Sequence, residues 1–280
     1  METGLPSRTA LGVAIRRAVH QLLDQPPVLN DPIAIPILGE RFHFEPEQQA
    51  HPYARAFRAF MAARSRLAED QLARAAAKGV NQYVLLGAGL DTFAYRNPWP
   101  QLRVFEVDHP ATQLWKRTLL HDAKIAEPAN LSYAPLDFEH HTLHDGLTEA
   151  GFDFNRPAFF AWLGVVPYLT LKALRGALDL VAAMPAGSGI VFDYALSDED
   201  LSPRRRQQRA ALAARVAAVG EPFQLFFRLA QLENELKSAG FASIEQIDSH
   251  ELNCRYFTGR SDGLALPEEG LGQMAVAWVE

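Results

Sequence analysis

This 280-residue sequence contains a single cysteine, Cys254. One thiol cannot form an intrachain disulfide, so the core has to hold the fold, and a reducing cytoplasm is the expected compartment. Long apolar runs are missing as well. No stretch approaches the roughly 18 apolar residues of a membrane span. Near the N-terminus Arg16 and Arg17 break the apolar residues before a secretory core can form. A soluble protein without a membrane partner is expected. Positive charge is in deficit, the formal net charge being −6 at pH 7. Nucleic-acid binding needs a concentrated basic face, so no nucleic-acid partner is expected either. The one basic cluster, Arg204-Arg205-Arg206 with Arg209, reads as the solvated start of a helix. Repeats, heptads and low-complexity segments are also lacking. What remains is a chain with 48% hydrophobic residues, enough to bury a full core as one domain over residues 1–280.

The most informative stretch runs from Gln82 to Arg96. Tyr83 to Leu86 form a short apolar run that stops at Gly87-Ala88-Gly89, the pattern of a buried strand ending in a tight turn. Leu90 to Arg96 can then open a helix. A glycine turn in that position lets backbone N–H groups approach a ligand that a Cβ would hold off. A second apolar strand, Arg103 to Asp108, ends in an acid about twenty positions after Gly87, the separation found in nucleotide-binding βαβ units. The third glycine of the dinucleotide fingerprint is absent, since Thr92 stands there. The combination points to an adenosine-type ligand.

Elsewhere the periodicity predicts a helix over residues 8–24 and a proline-broken apolar cover at 31–39. A long helix follows from Tyr53 to about Lys78, with an apolar stripe through Phe57, Phe60, Met61, Leu67 and Leu72. At 100° per residue Arg64 falls inside that stripe and Arg66 on the opposite face. A guanidinium there needs an anion, either a buried carboxylate of the protein or an acidic group of a ligand. Further elements are a helix at 111–122, strands at 130–136, 157–164 and 189–194, a helix at 171–183, a helix at 228–239 closed by Gly240, and strands at 243–247 and 274–279. Residues 197–227 read as an insertion. Its Phe223, Phe226 and Phe227 form either a pocket wall or a packed cluster. His140 and His144 share a helical face, but no second ligand-rich segment accompanies them, so no metal site is expected.

With these pieces placed, the sequence resembles the leucine carboxyl methyltransferase family of S-adenosylmethionine-dependent enzymes, in particular its bacterial small-molecule branch. Arg64-Ser65-Arg66, Gln82 to Thr92, Phe105-Glu106-Val107-Asp108-His109-Pro110, Leu136-Asp137-Phe138 and Trp162 to Thr170 carry the match. The resemblance implies an α/β fold: a Rossmann-like, mostly parallel sheet of seven strands with a reversed last strand, helices on both faces and an N-terminal helical cap. The cap would take residues 1 to about 78, and the insertion at about 197–227 would be lid-like. S-adenosyl-L-methionine is the implied cofactor. By position, Arg64 would bind its methionine carboxylate, Gly87, Ala88 and Gly89 would line its amino-acid and ribose portion, and Asp108 would accept the ribose hydroxyls. Asp137 would take the adenine amino group beside Phe138, and His109 and Leu163 belong to the same binding set. Protein-directed eukaryotic members carry Glu where this chain has Leu163.

The expected activity is methyl transfer to a carboxylate or acidic hydroxyl of a small molecule. Tyr168 positions that acceptor, because Ala158 to Leu171 contain no His, Asp, Glu or Lys. Two alternatives remain: a nicotinamide-dependent dehydrogenase, which shares the loop and the acid but would want a Tyr-x-x-x-Lys pair, and a cofactor-binding protein without turnover.

Overall fold

A computed structural model describes residues 8–136, 142–218 and 220–280. Seven strands form one sheet in the order β3-β2-β1-β4-β5-β7-β6. They are β1 (Gln82–Leu86), β2 (Arg103–Asp108), β3 (Leu131–Pro135), β4 (Phe159–Trp162), β5 (Gly189–Ala195), β6 (Ser243–Ile247) and β7 (Gly272–Trp278). β1 to β5 run parallel, while β7 lies antiparallel between β5 and β6. The reversed last strand expected from the sequence is therefore present. Every residue of β1, β4 and β5 is buried, which explains why these strands read as unbroken apolar runs.

Alternate residues of each strand feed two cores. Val84, Phe105, Phe160 and Phe192 face α5 (Leu143–Glu149), α6 (Leu171–Ala182) and α8 (Leu229–Ala239) through Leu147, Leu178 and Leu236. Tyr83, Val104, Phe159 and Val191 face α3 (Pro52–Ala77) and α9 (Ser249–Tyr256) through Leu67, Leu72 and Leu252. A third cluster joins α1 (Arg8–Leu23) to α4 (Pro110–Asp122) through Ala18, Ile37, Leu38 and Leu119. The proline-broken segment is thus a cover, in the form of a 3-10 turn over Pro36–Arg41. A short α2 (Pro46–Ala50) leads into α3. α7 (Pro203–Ala217), in the insertion, buries no residue.

Two expectations need correction. Leu90 to Arg96 open no α-helix: after Asp91 caps the Phe93 N–H at 2.7 Å, only a 3-10 turn forms over Phe93–Arg96. Pro98 and Pro100 then forbid propagation. The sequence reading also missed α9, whose start is fixed by Asp248 accepting from the Glu251 N–H at 2.8 Å. Asp-x-x-Glu is a capping box, and that spacing was there to be read.

Candidate active site

Strand order reverses at β1, which has β2 on one side and β4 on the other. In open α/β sheets ligands bind at that switch, beyond the carboxyl ends of the strands. The cavity there has a volume of about 1010 Å³, the upper end of what small-molecule sites occupy. Arg64, Gly87, Ala88, Gly89, Asp108, His109, Leu163 and Tyr168 all line it. Asp137 and Phe138 lie outside the described residues, although the neighbouring Leu136 reaches the same wall.

The glycine loop is built for close approach. Gly87 has φ 66° and Gly89 φ 50°. A Cβ on Gly87 would stand 2.4 Å from Val165 Cγ2, so the loops after β1 and β4 meet only because position 87 has no side chain. The loop N–H groups are used internally. Those of Gly87 and Ala88 donate to Val107 O at 2.8 and 3.1 Å, and that of Gly89 donates to Asp108 Oδ2. These three N–H groups are therefore not free to cradle a ligand, and the loop leads into a 3-10 turn rather than an α-helix. A pyrophosphate would need both free N–H groups and a helix N-terminus. The loop therefore offers a pyrophosphate little, while a ligand recognised through its ribose and amino-acid groups fits.

Asp108 closes β2 with its second oxygen, Oδ1, accepting from the His109 N–H at 2.7 Å. Burial pushes this carboxyl above its ordinary value, and the two backbone N–H bonds oppose the rise. Each oxygen keeps a further lone pair for ligand hydroxyls. His109 caps α4, its Nδ1 accepting from the Ala111 N–H at 3.2 Å. His51, also at the cavity, caps α3 in the same manner by accepting from the Tyr53 N–H at 3.2 Å.

Arg64 is 6% exposed. Its Nη1 donates to Asp193 Oδ2 at 3.0 Å, and Asp193 Oδ1 accepts the Gly164 N–H. Of the two anions open to it on sequence grounds, the protein carboxylate is therefore present. Its buried Nε has no hydrogen-bond partner among the described residues, an orphan donor that a ligand carboxylate would satisfy. Gly164, with φ 75°, makes the room: a Cβ there would sit 2.9 Å from both terminal nitrogens. Arg66 points to solvent and pairs with Asp70 at 2.8 Å, as the helical wheel required.

Tyr168 follows β4, its ring centroid 5.1 Å from that of Phe223. Burial pushes its phenol up to about 12, and its hydroxyl bonds to Thr9, which in turn donates to Glu221. The three phenylalanines divide: Phe223 lines the cavity, Phe226 lies under the Arg209 guanidinium at 4.4 Å, and Phe227 is fully buried in the core.

Sequence reasoning missed Asp193 and a buried polar network. Arg17 donates through Nε to Asp31 at 3.1 Å, through Nη1 to Asp91 at 3.3 Å, and also to Thr92. Burial works to raise the Asp31 carboxyl, but Arg17 and Arg96 outweigh it and hold it low. The network ties α1 to the glycine loop and explains Thr92. Arg17 is buried on α1, but on the helical wheel it falls about 60° outside the stripe of Leu11, Ala14, Ile15, Ala18 and Leu22, so the argument that found Arg64 does not reach it. Among the described residues no cluster of His, Cys, Asp and Glu is arranged to hold a metal. His140 lies outside them, and His144 stacks on Phe154 at 4.4 Å.

Comparison with known proteins gives the family and the fold. The model of the leucine carboxyl methyltransferase family matches residues 10–182. A candidate S-adenosyl-L-methionine-dependent methyltransferase of Bacillus subtilis (strain 168), YktD, is 33% identical over 92% of this chain and 94% of its own. One from Mycolicibacterium paratuberculosis (strain ATCC BAA-968 / K-10) is 33% identical over 66% of this chain and 65% of its own, so the chain spans just under two thirds of that relative. Among solved structures, a candidate methyltransferase from Thermobifida fusca YX shares the fold with a TM-score of 0.55 at 17% identity, covering 100% of this chain and 97% of its own.

Proposed function

Because the chain belongs to the leucine carboxyl methyltransferase family and is an S-adenosylmethionine-dependent methyltransferase, we propose that it methylates an oxygen of a small molecule. The acceptor is a carboxylate or acidic hydroxyl that enters the cavity already ionised, and the reaction belongs to the cytoplasm. One observation carries this reading: neither histidine at the cavity is arranged as a base. His51 and His109 both accept a backbone N–H at Nδ1, so each neutral ring carries its proton on Nε2 and offers no lone pair there. Asp193 is occupied by Arg64 and Gly164. Tyr168, held protonated up to about 12, is a donor rather than a base.

Bound in this cavity, S-adenosylmethionine supplies a methyl group on a sulfonium. The residues supply position. Arg64 would hold the methionine carboxylate through its free Nε, Gly87, Ala88 and Gly89 would give close approach, and Asp108 would accept the ribose hydroxyls. By the family resemblance Asp137 and Phe138 would take the adenine, with Leu163 and His109 as wall residues. Tyr168 turns its hydroxyl proton from Thr9 to the acceptor and aligns it. The acceptor oxygen's lone pair would form the C–O bond as the C–S pair returns to the sulfonium sulfur, and the residues would contribute alignment and exclusion of water. The N-terminal segment and residues 197–227 act as cap and lid, since both contribute to the cavity wall.

A screen of carboxylic acids and phenols with methyl-labelled cofactor identifies the acceptor, and the pH profile of kcat tests the mechanism. A plateau from about pH 6 to 9, unaffected by chelators, is expected. A second reading has its own observation, the Tyr168–Thr9–Glu221 chain, which offers a proton path out of a neutral hydroxyl. A rising limb in that window, abolished in Glu221→Gln, would favour it.

A further inference from the structure

The part of the cavity beyond the cofactor end is walled by arginines and aromatic rings. Tyr53, Phe57, Phe60 and Arg64 all lie on one face of α3, within a span of about 60°, and all reach the cavity. At 1.5 Å per residue, Phe57 stands about 10 Å along the helix from Arg64 and Tyr53 about 16 Å. The Tyr53 and Phe57 rings stack at 6.1 Å. Arg16 of α1 lies over Phe57 at 4.5 Å, and Arg215 of α7 lies over Tyr53 at 5.5 Å. The rings are thus bracketed by two guanidiniums.

These cations differ from the other arginines of the cavity. Arg17, Arg64, Arg205 and Arg209 each pair with a carboxylate. Among the described residues no carboxylate pairs with Arg16, Arg204 or Arg215, although all three line the cavity. Among the described residues Arg16 donates only to its own helix, to Gly12 O at 2.7 Å, and burial lowers its guanidinium from the ordinary value. A half-buried guanidinium against apolar rings, in a chain of net charge −6, gains most from an anion brought in from outside.

We propose that the acceptor is an elongated acid with a flat apolar body, whose permanent anionic group sits on Arg16, with Arg215 beyond it, about 10 Å from the end that holds the cofactor's amino acid. This deepens the methyltransferase reading and rests on it. The body lies along Phe60 and Phe57, and the oxygen to be methylated lies at the opposite end, beside Tyr168. The charge that anchors the acceptor is therefore not the group that reacts. The methylated product keeps its anchor, so it competes with the acceptor.

The test uses the full chain saturated with S-adenosylhomocysteine and titrated calorimetrically with 4′-hydroxybiphenyl-4-carboxylate, beside 4-phenylphenol, which lacks the acid. The acid is expected to bind at least tenfold more tightly. Arg16→Gln should abolish that difference while leaving affinity for S-adenosylhomocysteine within about twofold, which also shows that the variant is folded. Phe57→Leu should weaken both probes. Equal affinity for the two probes, no measurable binding of the acid, or a preference that survives Arg16→Gln would overturn the proposal. Loss of S-adenosylhomocysteine binding in Arg16→Gln, at a melting temperature like wild type, would overturn it by assigning Arg16 to the cofactor. Failure of the wild type to bind S-adenosylhomocysteine would sink the methyltransferase reading itself.

Discussion

Replacing Asp108 by Asn keeps the size of the side chain and removes its charge. Two backbone N–H groups, from Gly89 and His109, donate to its two oxygens, leaving one lone pair on each for a ribose diol. An amide has one oxygen, so one of these N–H groups then faces an NH₂, and one ribose hydroxyl loses its acceptor. Hydrogen bonds to a charged group are worth about 1.5–3 kcal/mol, which converts to a loss of roughly tenfold to a hundredfold in cofactor affinity. The effect on folding works partly the other way. Burial raises the Asp108 carboxyl, so ionising it costs stability once the pH climbs through its folded value. The neutral amide escapes that cost, which offsets its lost bonds. The apo protein should therefore melt close to wild type. Ligand at a hundred times Kd stabilises a protein by about 2.7 kcal/mol, and a hundredfold weaker site at the same concentration leaves about 0.4 kcal/mol. Calorimetric titration and cofactor-dependent melting measure both. A variant that binds S-adenosylmethionine like wild type would refute the ribose assignment.

Other substitutions separate the remaining parts of the account. Arg64→Lys should lose most of the cofactor affinity, because a point charge cannot serve Asp193 and a ligand carboxylate together, whereas Arg66→Lys at the exposed Asp70 pair should be nearly neutral; equilibrium titration ranks the two. Arg17→Met leaves Asp31 buried without its main partner and should cost about 3–5 kcal/mol in denaturant unfolding, while a loss below 1 kcal/mol would mean the network does not hold the cap. Glu106, buried against Lys116 at 2.6 Å, is pushed up to about 7 by burial. Its raised value contributes stability that is complete below about pH 4.5 and lost as pH rises through about 7. Wild type should accordingly lose on the order of 1–3 kcal/mol between pH 5 and 8 relative to Glu106→Gln, and parallel stability curves for the two proteins would contradict this.

The parallel strands were legible because burial on both faces forces unbroken apolar runs, and β2 ends where its acid said it would. Arg64 was legible because a charge within an apolar stripe has only one kind of explanation. The polar cluster of Arg17, Asp31 and Thr92 was harder. Its members are 14 and 61 residues apart along the chain, and no local pattern shows that they meet. Asp193 lies inside an apolar strand, and only the fold reveals that it reaches Arg64. The 3-10 turn after the glycine loop was misread because Pro98 and Pro100 outweighed the helix-compatible residues before them. The insertion offered composition alone. Its arginines read as the solvated start of a helix, and α7 indeed buries no residue, but composition could not show that Arg204, Arg205 and Arg209 also wall the cavity.

We propose that the cavity at the strand switch binds S-adenosylmethionine through Arg64 and Asp108. The most direct test is a calorimetric titration of the full chain with S-adenosylhomocysteine, repeated in the presence of excess NAD. One site per chain is expected, unaffected by NAD, weakened at least tenfold in Arg64→Lys and Asp108→Asn, and unchanged in Arg66→Lys. Displacement by NAD, or equal affinity in all three variants, would contradict the account.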